Sequence, residues 1–486
     1  MKKIKVLSMI LALAMIVGVL AACNTSKPAD TKSNDTKSTE PADTKSTEPA
    51  TEPAESGELT LGIWPEDTEV DAIKVHTDTY VPAFNAMHPN VTVVPAYYKY
   101  DPSTYIALAQ SGNAPTVFES WYTEPQKLIR NGLVKDITDI LAERGWLDSM
   151  SDSVRSLLSD ENGRVYGIPR DAYSLGLYIN MDLFEQAGLV NDDGTPQYPK
   201  TWDEMIAVCQ TIREKTGKAG LCLLAQDAGG GWHWSNIAWA YGAQLCIDNG
   251  DGTYTSNLNT PEAIAAMELI RDLNNVKAFT DDPLQENWGT GFTQLGTGEA
   301  AMYIAANDAV SQPTATNGLP VDKLAIAPMP AGPGGQYSLM GGTPYMFSPD
   351  ATDEEVNWAL DYLEVMGKSP EVTEAAREGW IADAQYRQEN GIPVIPAFPA
   401  WVGAVIEEQQ KIVDEYSNVN MALYNDYYNF SKQTGALKTE EPGETQDMYK
   451  ILTSVLQEIL TNPNADIPAL MEQANTDYQA ILDAAA

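Results

Sequence analysis

Tryptophan and tyrosine are the side chains best suited to ligand binding in this chain. The sequence holds 11 Trp and 23 Tyr but 8 Phe, so rings with a polar group outnumber purely apolar rings. A sugar presents an apolar C–H face and a rim of hydroxyls, and its site needs flat rings with a few fixed donors and acceptors. Trp and Tyr, together with Asp, Glu, Asn and Arg, supply both. The composition therefore favours a hydroxyl-rich ligand.

The run GGGWHWSN places Trp232 and Trp234 two residues apart, behind three glycines. In an extended segment, alternate side chains point to the same side. We therefore predict that both indole rings stack on the ligand and that His233 points away from them. Burial of the two rings is the alternative. A lone histidine offers no metal site.

Short apolar runs alternate with helical spacing after residue 57. Residues 59–64, 91–96 and 116–118 have the length and composition of strands, and residues 70–87 have helical spacing. This β, α, β order predicts an α/β fold with a parallel sheet. Side chains just beyond the carboxyl ends of parallel strands line the crevice of an open sheet. That position selects four candidate ligand-binding residues: Trp64, Glu119, Trp121 and Tyr122.

A strong helical pattern begins at residue 201, and helical patterns dominate the C-terminal third of the chain. Thr201 and Glu204 form a capping box, and Gly217 closes the helix that they begin. Other segments with apolar residues at three and four spacing start near residues 260, 352, 448 and 467. Three tryptophans lie within helical patterns and are predicted to belong to the core: Trp202, Trp239 and Trp358.

The first 57 residues differ in composition from the rest. Lysines, an apolar run and the small residues Ala21 and Ala22 predict a signal peptide over residues 1–22. The following Cys23 completes a motif that resembles the lipobox of bacterial lipoproteins, which implies a diacylglyceryl thioether and an amide-linked acyl chain. An ordinary secretory signal with an incidental cysteine is the alternative. Residues 23–57 contain no large apolar side chain and are predicted to be a disordered tether.

The charge and the cysteines exclude several classes of function. The formal charge is −38, and removing three lysines with the signal peptide leaves −41, which argues against nucleic acid and against adsorption to anionic lipid. The chain has no HExxH, GxSxG or phosphate-loop motif, and we expect no cofactor and no metal. Beyond Cys23, Cys209 is predicted to be a buried helix position, while a bridge between Cys222 and Cys246 stays open.

Four separated stretches resemble, in order, the family 1 extracellular solute-binding proteins, which are the sugar-capturing lipoprotein components of ABC importers. They are YGIPRDAYSLGLYINMDLFEQAGL, TWDEMIAVCQTI, GFTQLGTGEAAMYIA, and APMPAGPGG followed by GGTPYMFSPDATDEEVNWALDYLEVM. The resemblance implies a two-lobed, type II periplasmic-binding-protein-like α/β fold with a ligand cleft and a hinge between the lobes. The expected lobes are 58–168 with 305–342, and 169–304 with 343–486. Crossings between them are expected near 167–174, 302–307 and 341–347.

The resemblance also nominates residues for the cleft. The hinge stretch contributes Arg170, Asp171 and Tyr173, although Arg170 could equally form a surface or interlobe ion pair. Family position adds five further ligand-binding candidates: Trp288, Asn307, Gly342, Tyr345 and Trp380. For the glycines 341 and 342, a plain turn is the alternative.

These observations predict a monomeric binding protein tethered by lipid to the extracytoplasmic face of a bacterial cell membrane. It would capture a mono- or oligosaccharide and deliver it, unchanged, to the permease subunits of an ABC transporter. A lipid-anchored glycoside hydrolase with paired carboxylates is the alternative enzyme. A surface-structural protein is a third hypothesis, which accounts for the tether but not for the aromatic residues.

Overall fold

The computed structural model describes residues 56–485. The predicted signal peptide, Cys23 and all but the last two residues of the predicted tether lie outside the described residues. Within residues 56–485, no helix is both long enough and apolar enough to span a membrane.

The strands of the described residues are β1 (Gly57–Leu61), β2 (Val91–Pro95), β3 (Val117–Glu119), β4 (Gly167–Asn180), β5 (Ala219–Cys222), β6 (Cys246–Asp248), β7 (Tyr254–Ser256), β8 (Ala300–Ala306), β9 (Leu324–Ala327), β10 (Ser338–Phe347) and β11 (Leu437–Lys438). Most of them belong to one sheet with the order β2-β1-β3-β10-β4-β8-β5, in which β9 also pairs with β4 and β11 with β10. Strand β1 pairs in parallel with β2 and β3, as predicted. Strands β6 and β7 form a separate hairpin.

Helices pack against strands of this sheet. They are α1 (Val70–Val75), α2 (Val81–Met87), α3 (Pro102–Gln110), α4 (Pro125–Arg130), α5 (Thr138–Glu143), α6 (Asp152–Leu157), α7 (Met181–Ala187), α8 (Trp202–Thr216), α9 (Gly229–Tyr241), α10 (Pro261–Asn275), α11 (Trp288–Gly296), α12 (Asp353–Val365), α13 (Glu374–Glu389), α14 (Ala404–Tyr416), α15 (Asn425–Ser431), α16 (Thr445–Thr461) and α17 (Ile467–Ala485). A π-helical segment, His76–Tyr80, joins α1 to α2, so the helix predicted over 70–87 is continuous. At the start of α8 the hydroxyl of Thr201 accepts a hydrogen bond from the Glu204 amide, as its capping role requires.

The described residues form two large hydrophobic cores. The first core unites β1 to β3 with α12 and the neighbouring helices, and the second core unites β5, β8 and β9 with α7 to α11 and α15 to α17. Strands β4 and β10 run through both cores. They pair in antiparallel fashion from Ser174 opposite Met340 to Gly167 opposite Met346. This strand pair is therefore the main connection between the cores.

The cores divide the chain differently from the predicted lobes. Residues 345–363, expected in the second lobe, contribute Tyr345 and Leu363 to the first core, because β10 pairs with β3 there and α12 packs against β1. Residues 305–342, expected in the first lobe, contribute Ile326 to the second core. The crossing expected near 302–307 is absent, because β8 stays between β4 and β5. Instead the chain passes from Val405 in the first core to Leu423 in the second.

Other predictions about buried residues agree with the structure. Trp202, Trp239 and Trp358 are buried in the cores, as their helical patterns indicate. Cys209, Cys222 and Cys246 are buried free thiols, so Cys222 and Cys246 do not form a disulfide bridge. Burial raises the pKa of all three thiols.

Candidate ligand-binding site

A cavity of about 550 Å³, here called the aromatic cavity, opens where β4 and β10 pass between the two cores. Its walls combine aromatic rings with carboxylates, an amide and a hydroxyl. The lining residues are Trp121, Tyr173, Ala228, Gly229, Trp232, Trp288, Ala306, Asp308, Ala309, Gly342, Thr343, Glu440, Gln446 and Tyr449. Five of the predicted ligand-binding residues thus meet at one opening: Trp121, Tyr173, Trp232, Trp288 and Gly342.

The rings of the aromatic cavity come from opposite sides. Trp121 follows β3, while Trp232 and Trp288 lie in the first turns of α9 and α11. The ring centroids of Trp232 and Trp288 are 5.4 Å apart at 69°, and those of Trp232 and Tyr173 are 6.5 Å apart at 85°. Near-perpendicular rings form a corner instead of one flat platform. Trp121 and Trp288 are 39% and 38% exposed, so their rings are available to a ligand.

The prediction for Trp234 is wrong. Residues 229–241 form helix α9 and not an extended segment, so side chains two residues apart diverge by roughly 200°. Trp234 is fully buried in the second core, and its indole N–H has no hydrogen-bond partner. The glycines serve close packing, since a Cβ at Gly231 would overlap the backbone of Tyr449 on α16.

His233 lies among aromatic rings, although the sequence analysis predicts that it points away from the two indoles. Its ring centroid is 5.1 Å from that of Trp232, 6.3 Å from that of Trp288 and 5.6 Å from that of Tyr303. The side chain is fully buried, and burial lowers its pKa to about 3. His233 is therefore a neutral support beneath the wall of the aromatic cavity.

Two carboxylates of the aromatic cavity were not predicted from the sequence. Glu440 lies between β11 and α16 and accepts a hydrogen bond of 3.1 Å from the hydroxyl of Tyr449. Burial raises the pKa of Glu440 to about 7. Asp308 follows β8 at an exposed position in the cavity wall, where desolvation by the surrounding protein and then repulsion by Asp171 raise the pKa of its carboxyl to about 6. Asp308 stands beside the predicted residue Asn307, whereas no local pattern marks Glu440.

Arg170 forms the ion pairs that were the alternative to a direct role in binding. Its guanidinium donates hydrogen bonds of 2.7 Å to Glu119 and 2.7 Å to Asp171, and one of 3.3 Å to the hydroxyl of Thr343. These contacts join β3, β4 and β10. Arg170 thus fixes the strands beside the cavity, and Glu119 and Asp171 neutralise its charge.

A second opening of about 370 Å³, here called the adjoining cavity, lies between β4 and helices α13 and α14. Arg170 and Asp171 line it together with the predicted residues Asn307 and Trp380. Lys368 also lines it. Asp308 belongs to the walls of both cavities, so the two openings meet there.

Four other predicted residues do not line either cavity: Trp64, Glu119, Tyr122 and Tyr345. Trp64 is half-buried and packs against His76, with ring centroids 4.9 Å apart. Tyr122 is buried and donates a hydrogen bond of 3.0 Å to the carbonyl of Asp171. Tyr345 is buried in the first core, because its position on β10 faces inward there.

Gly342 allows β10 to pass close to its neighbours. A Cβ at this position would lie 2.5 Å from Cε2 of Tyr122 and 2.6 Å from the carbonyl oxygen of Asp171. Residues 341 and 342 belong to β10, so they are not the plain turn that was the alternative.

Comparison with known proteins identifies the family of this chain. The sequence model of the family described as bacterial extracellular solute-binding protein matches residues 73–372, which is more than half of the chain. The chain belongs to this family. The resemblance noted in the sequence is confirmed, and the family consists of solute-binding proteins and not of enzymes.

Relatives in sequence are also binding proteins. A binding protein of Brucella abortus is 30% identical over 211 residues, which are 42% of this chain and 47% of that protein. The sn-glycerol-3-phosphate-binding periplasmic protein of Escherichia coli is 26% identical over 217 residues, again 42% and 47%. This solute-binding protein therefore spans about half the length of the curated relatives that it matches.

Solved structures share the fold. The GacH receptor of Streptomyces glaucescens, studied unliganded and with acarbose, has a TM-score of 0.64 at 18% identity, covering 88% of this chain and 99% of that one. The maltose-bound MalE3 of T. maritima has a TM-score of 0.63 at 16% identity, covering 87% and 100%. UgpB of Mycobacterium tuberculosis, in complex with glycerophosphocholine, has a TM-score of 0.63 at 17% identity, covering 90% and 99%. The predicted type II periplasmic-binding-protein-like α/β fold is thereby confirmed.

Proposed function

We propose that this solute-binding protein captures a mono- or oligosaccharide in the aromatic cavity and delivers it, unchanged, to the permease of an ABC transporter. The observation that carries the proposal is the corner of indole and phenol rings bordered by carboxylate, amide and hydroxyl groups. The C–H faces of a sugar pack on the rings, and its hydroxyls bond to Asp308, Glu440, Gln446 and Thr343. The similar solved structures studied with acarbose and with maltose support this ligand class.

The adjoining cavity gives the ligand room to extend. Because Asp308 lines both openings, a chain of sugar residues can pass from one into the other. Trp380 and Asn307 would then contact a second residue of the same ligand. This arrangement favours an oligosaccharide over a single sugar.

The two cores act as lobes that close on the ligand. Strands β4 and β10 supply the hinge, and the irregular register between Thr343 and Pro344 marks where their ladder can bend. We expect small-angle scattering to show a smaller radius of gyration when a saturating sugar is added. Scattering curves that superimpose with and without the sugar would contradict hinge closure.

The proposed location is the extracytoplasmic face of the cell membrane, where the protein acts as a monomer beside its permease. Acyl chains on Cys23 would anchor it through the tether of residues 23–57. In a bacterial host, Cys23→Ala should move the protein from the membrane fraction to the soluble fraction and remove labelling by palmitate. The buried Cys209→Ala is the matched control and should stay in the membrane fraction.

The ligand is best sought by a thermal-shift screen against saccharides of different composition, linkage and length. A bound sugar stabilises the folded state in proportion to the logarithm of its concentration above Kd. Chromatography of the same mixtures separates binding from hydrolysis. Products that accumulate beyond one equivalent of protein would establish the glycoside hydrolase in place of the binding protein.

A further inference from the structure

The aromatic cavity carries negative but no positive charge on its walls, among the residues that the structure describes. Asp308 and Glu440 are its charged lining residues, and Thr343 and Gln446 are neutral. Arg170 and Arg387, whose charges act on Asp308, are already bound by acids. Arg170 pairs with Glu119 and Asp171, and the side chain of Arg387 pairs with Asp383 at 2.7 Å.

Neither carboxylate of the cavity has a cationic partner in the described part of the chain. Glu440 accepts a hydrogen bond from a phenol, which leaves its charge uncompensated. Closure around a ligand expels water from these groups. An unpaired carboxylate that loses its water must either take up a proton or gain a cation beside it, so above its pKa a neutral guest would leave that cost unmet.

The ring corner adds a second preference of the same sign. Each aromatic face carries the negative end of a quadrupole and attracts a cation placed within about 6 Å of the centroid, with indole the strongest. Trp232, Trp288 and Tyr173 meet at steep angles, so a group in the corner contacts more than one ring. Rings and carboxylates together therefore surround the ligand with negative potential.

From this geometry we propose that the preferred ligand is a sugar bearing a protonated amine, either an amino sugar or an oligosaccharide that contains one. The inference rests on the proposed carbohydrate-binding function and adds the charge of the ligand to it. The ammonium group lies against the ring corner and pairs with Asp308 and Glu440, while the hydroxyls use Gln446 and Thr343.

The adjoining cavity provides the contrasting environment. Lys368 lines it without an ion pair in the described residues, and burial lowers the pKa of that ammonium group. An acidic sugar would gain from Lys368 and lose at the aromatic cavity. The sign of the ligand's charge thus reports which cavity determines specificity.

The test measures Kd by titration calorimetry of the purified protein with matched sugars that differ by one group. Suitable pairs are glucosamine with glucose, galactosamine with galactose and mannosamine with mannose, together with β-1,4-linked disaccharides of glucosamine and of glucose. At pH 7, close to the pKa of Glu440 and low enough for the sugar amine to be mostly protonated, we expect the amine to bind at least about tenfold more tightly in one or more pairs, which is 1.4 kcal/mol. The N-acetylated sugars, which lack the charge, should bind like the hydroxyl sugars.

Charge-removing variants locate the effect. In Glu440→Gln and Asp308→Asn the ratio of amine to hydroxyl affinity should fall toward one. Glu214→Gln removes the same charge from an exposed position of α8, a helix that lines neither cavity, and should keep the ratio. Melting curves of each variant show that it is folded before its affinities are compared.

The outcomes are distinct. Equal binding of amine and hydroxyl sugars would overturn this inference and leave carbohydrate capture standing. Tighter binding of glucuronic acid or glucose 6-phosphate than of the amino sugars would overturn it and show that Lys368 in the adjoining cavity determines specificity. If no sugar of any charge binds, the proposed function fails with it.

Discussion

Replacing Trp232 and Trp234 separately with alanine distinguishes a binding ring from a core ring. The two indoles are two residues apart on α9, but Trp232 lines the aromatic cavity and Trp234 is fully buried in the second core. We expect Trp232→Ala to weaken ligand binding far more than it lowers stability. We expect the reverse for Trp234→Ala.

The size of the stability effect follows from burial. Truncating a fully buried aromatic to alanine costs about 3–5 kcal/mol. At about 2.1 cal/mol/K per residue, the 430 described residues have an unfolding entropy of about 0.9 kcal/mol/K if they unfold together, so Trp234→Ala should lower Tm by about 3–6 °C. Trp232 is half-buried, and its loss should lower Tm by about half as much.

The size of the binding effect follows from the corner that Trp232 forms with its neighbours. Removing a central aromatic anchor costs about 2 kcal/mol, which is about 30-fold in Kd. Trp64→Ala is the control, because Trp64 is also half-buried but lies outside both cavities, and it should leave Kd unchanged.

Scanning calorimetry gives Tm, and titration calorimetry with the best saccharide from the screen gives Kd. A Trp232→Ala variant that keeps full affinity while Tm falls would show that the ring belongs to the core. Loss of binding in Trp64→Ala would place the site nearer to the carboxyl end of β1.

Three further predictions concern charge and backbone. Burial, and to a lesser extent the charge of Glu124, raises the pKa of Glu440 from 4.5 to about 7, so the folded protein holds a proton that the unfolded chain releases. The free energy of unfolding should therefore decrease as pH rises from about 4.5 to 7. Urea titrations at several pH values should show a flatter profile for Glu440→Gln. Arg170→Ala leaves two half-buried acids without their partner and should cost about 1–2 kcal/mol after solvent screening, with an unchanged urea midpoint as the contrary result. Gly342→Ala places a methyl group 2.5 Å from the Tyr122 ring and 2.6 Å from the Asp171 carbonyl oxygen, and it should lower the free energy of unfolding by about 1–3 kcal/mol. Gly379→Ala has open space around it in helix α13 and should raise the free energy of unfolding by about 0.5–1 kcal/mol. Equal melting temperatures for the two variants would refute the close approach at Gly342.

Part of the candidate site was predictable because the position of a residue directly after a strand can be recognised from the local sequence. Trp121 follows a short apolar strand, and the position alone indicates that it lies at the sheet's crevice. The prediction for Trp64 fails because β1 ends at Leu61 and the chain turns back, with the Trp64 amide bonded to the Leu61 carbonyl at 3.2 Å. The turn between Leu61 and Trp64 therefore directs the Trp64 ring toward His76 and not into the cavity.

The resemblance to a family reached further than local pattern. It selected Tyr173, Trp288 and Gly342, which lie together in the aromatic cavity although more than a hundred residues separate the first from the second. It did not select Glu440. That residue enters the cavity from a loop, and loops carry no periodic pattern by which their side chains could be assigned to a site.

Sequence by itself determined the elements of this protein: the parallel opening of the sheet, the capped helices and the burial of Trp202 and Trp358. Capping and periodicity depend on residues a few positions apart, so they can be read along the chain. Tertiary structure alone decided which faces meet. Tyr449 on α16 required glycine at position 231 and so made α9 a closely packed helix, and the pairing of β10 with β3 assigned residues 345–363 to the first core. Such contacts join segments distant in sequence, and their energies depend on the whole packed arrangement.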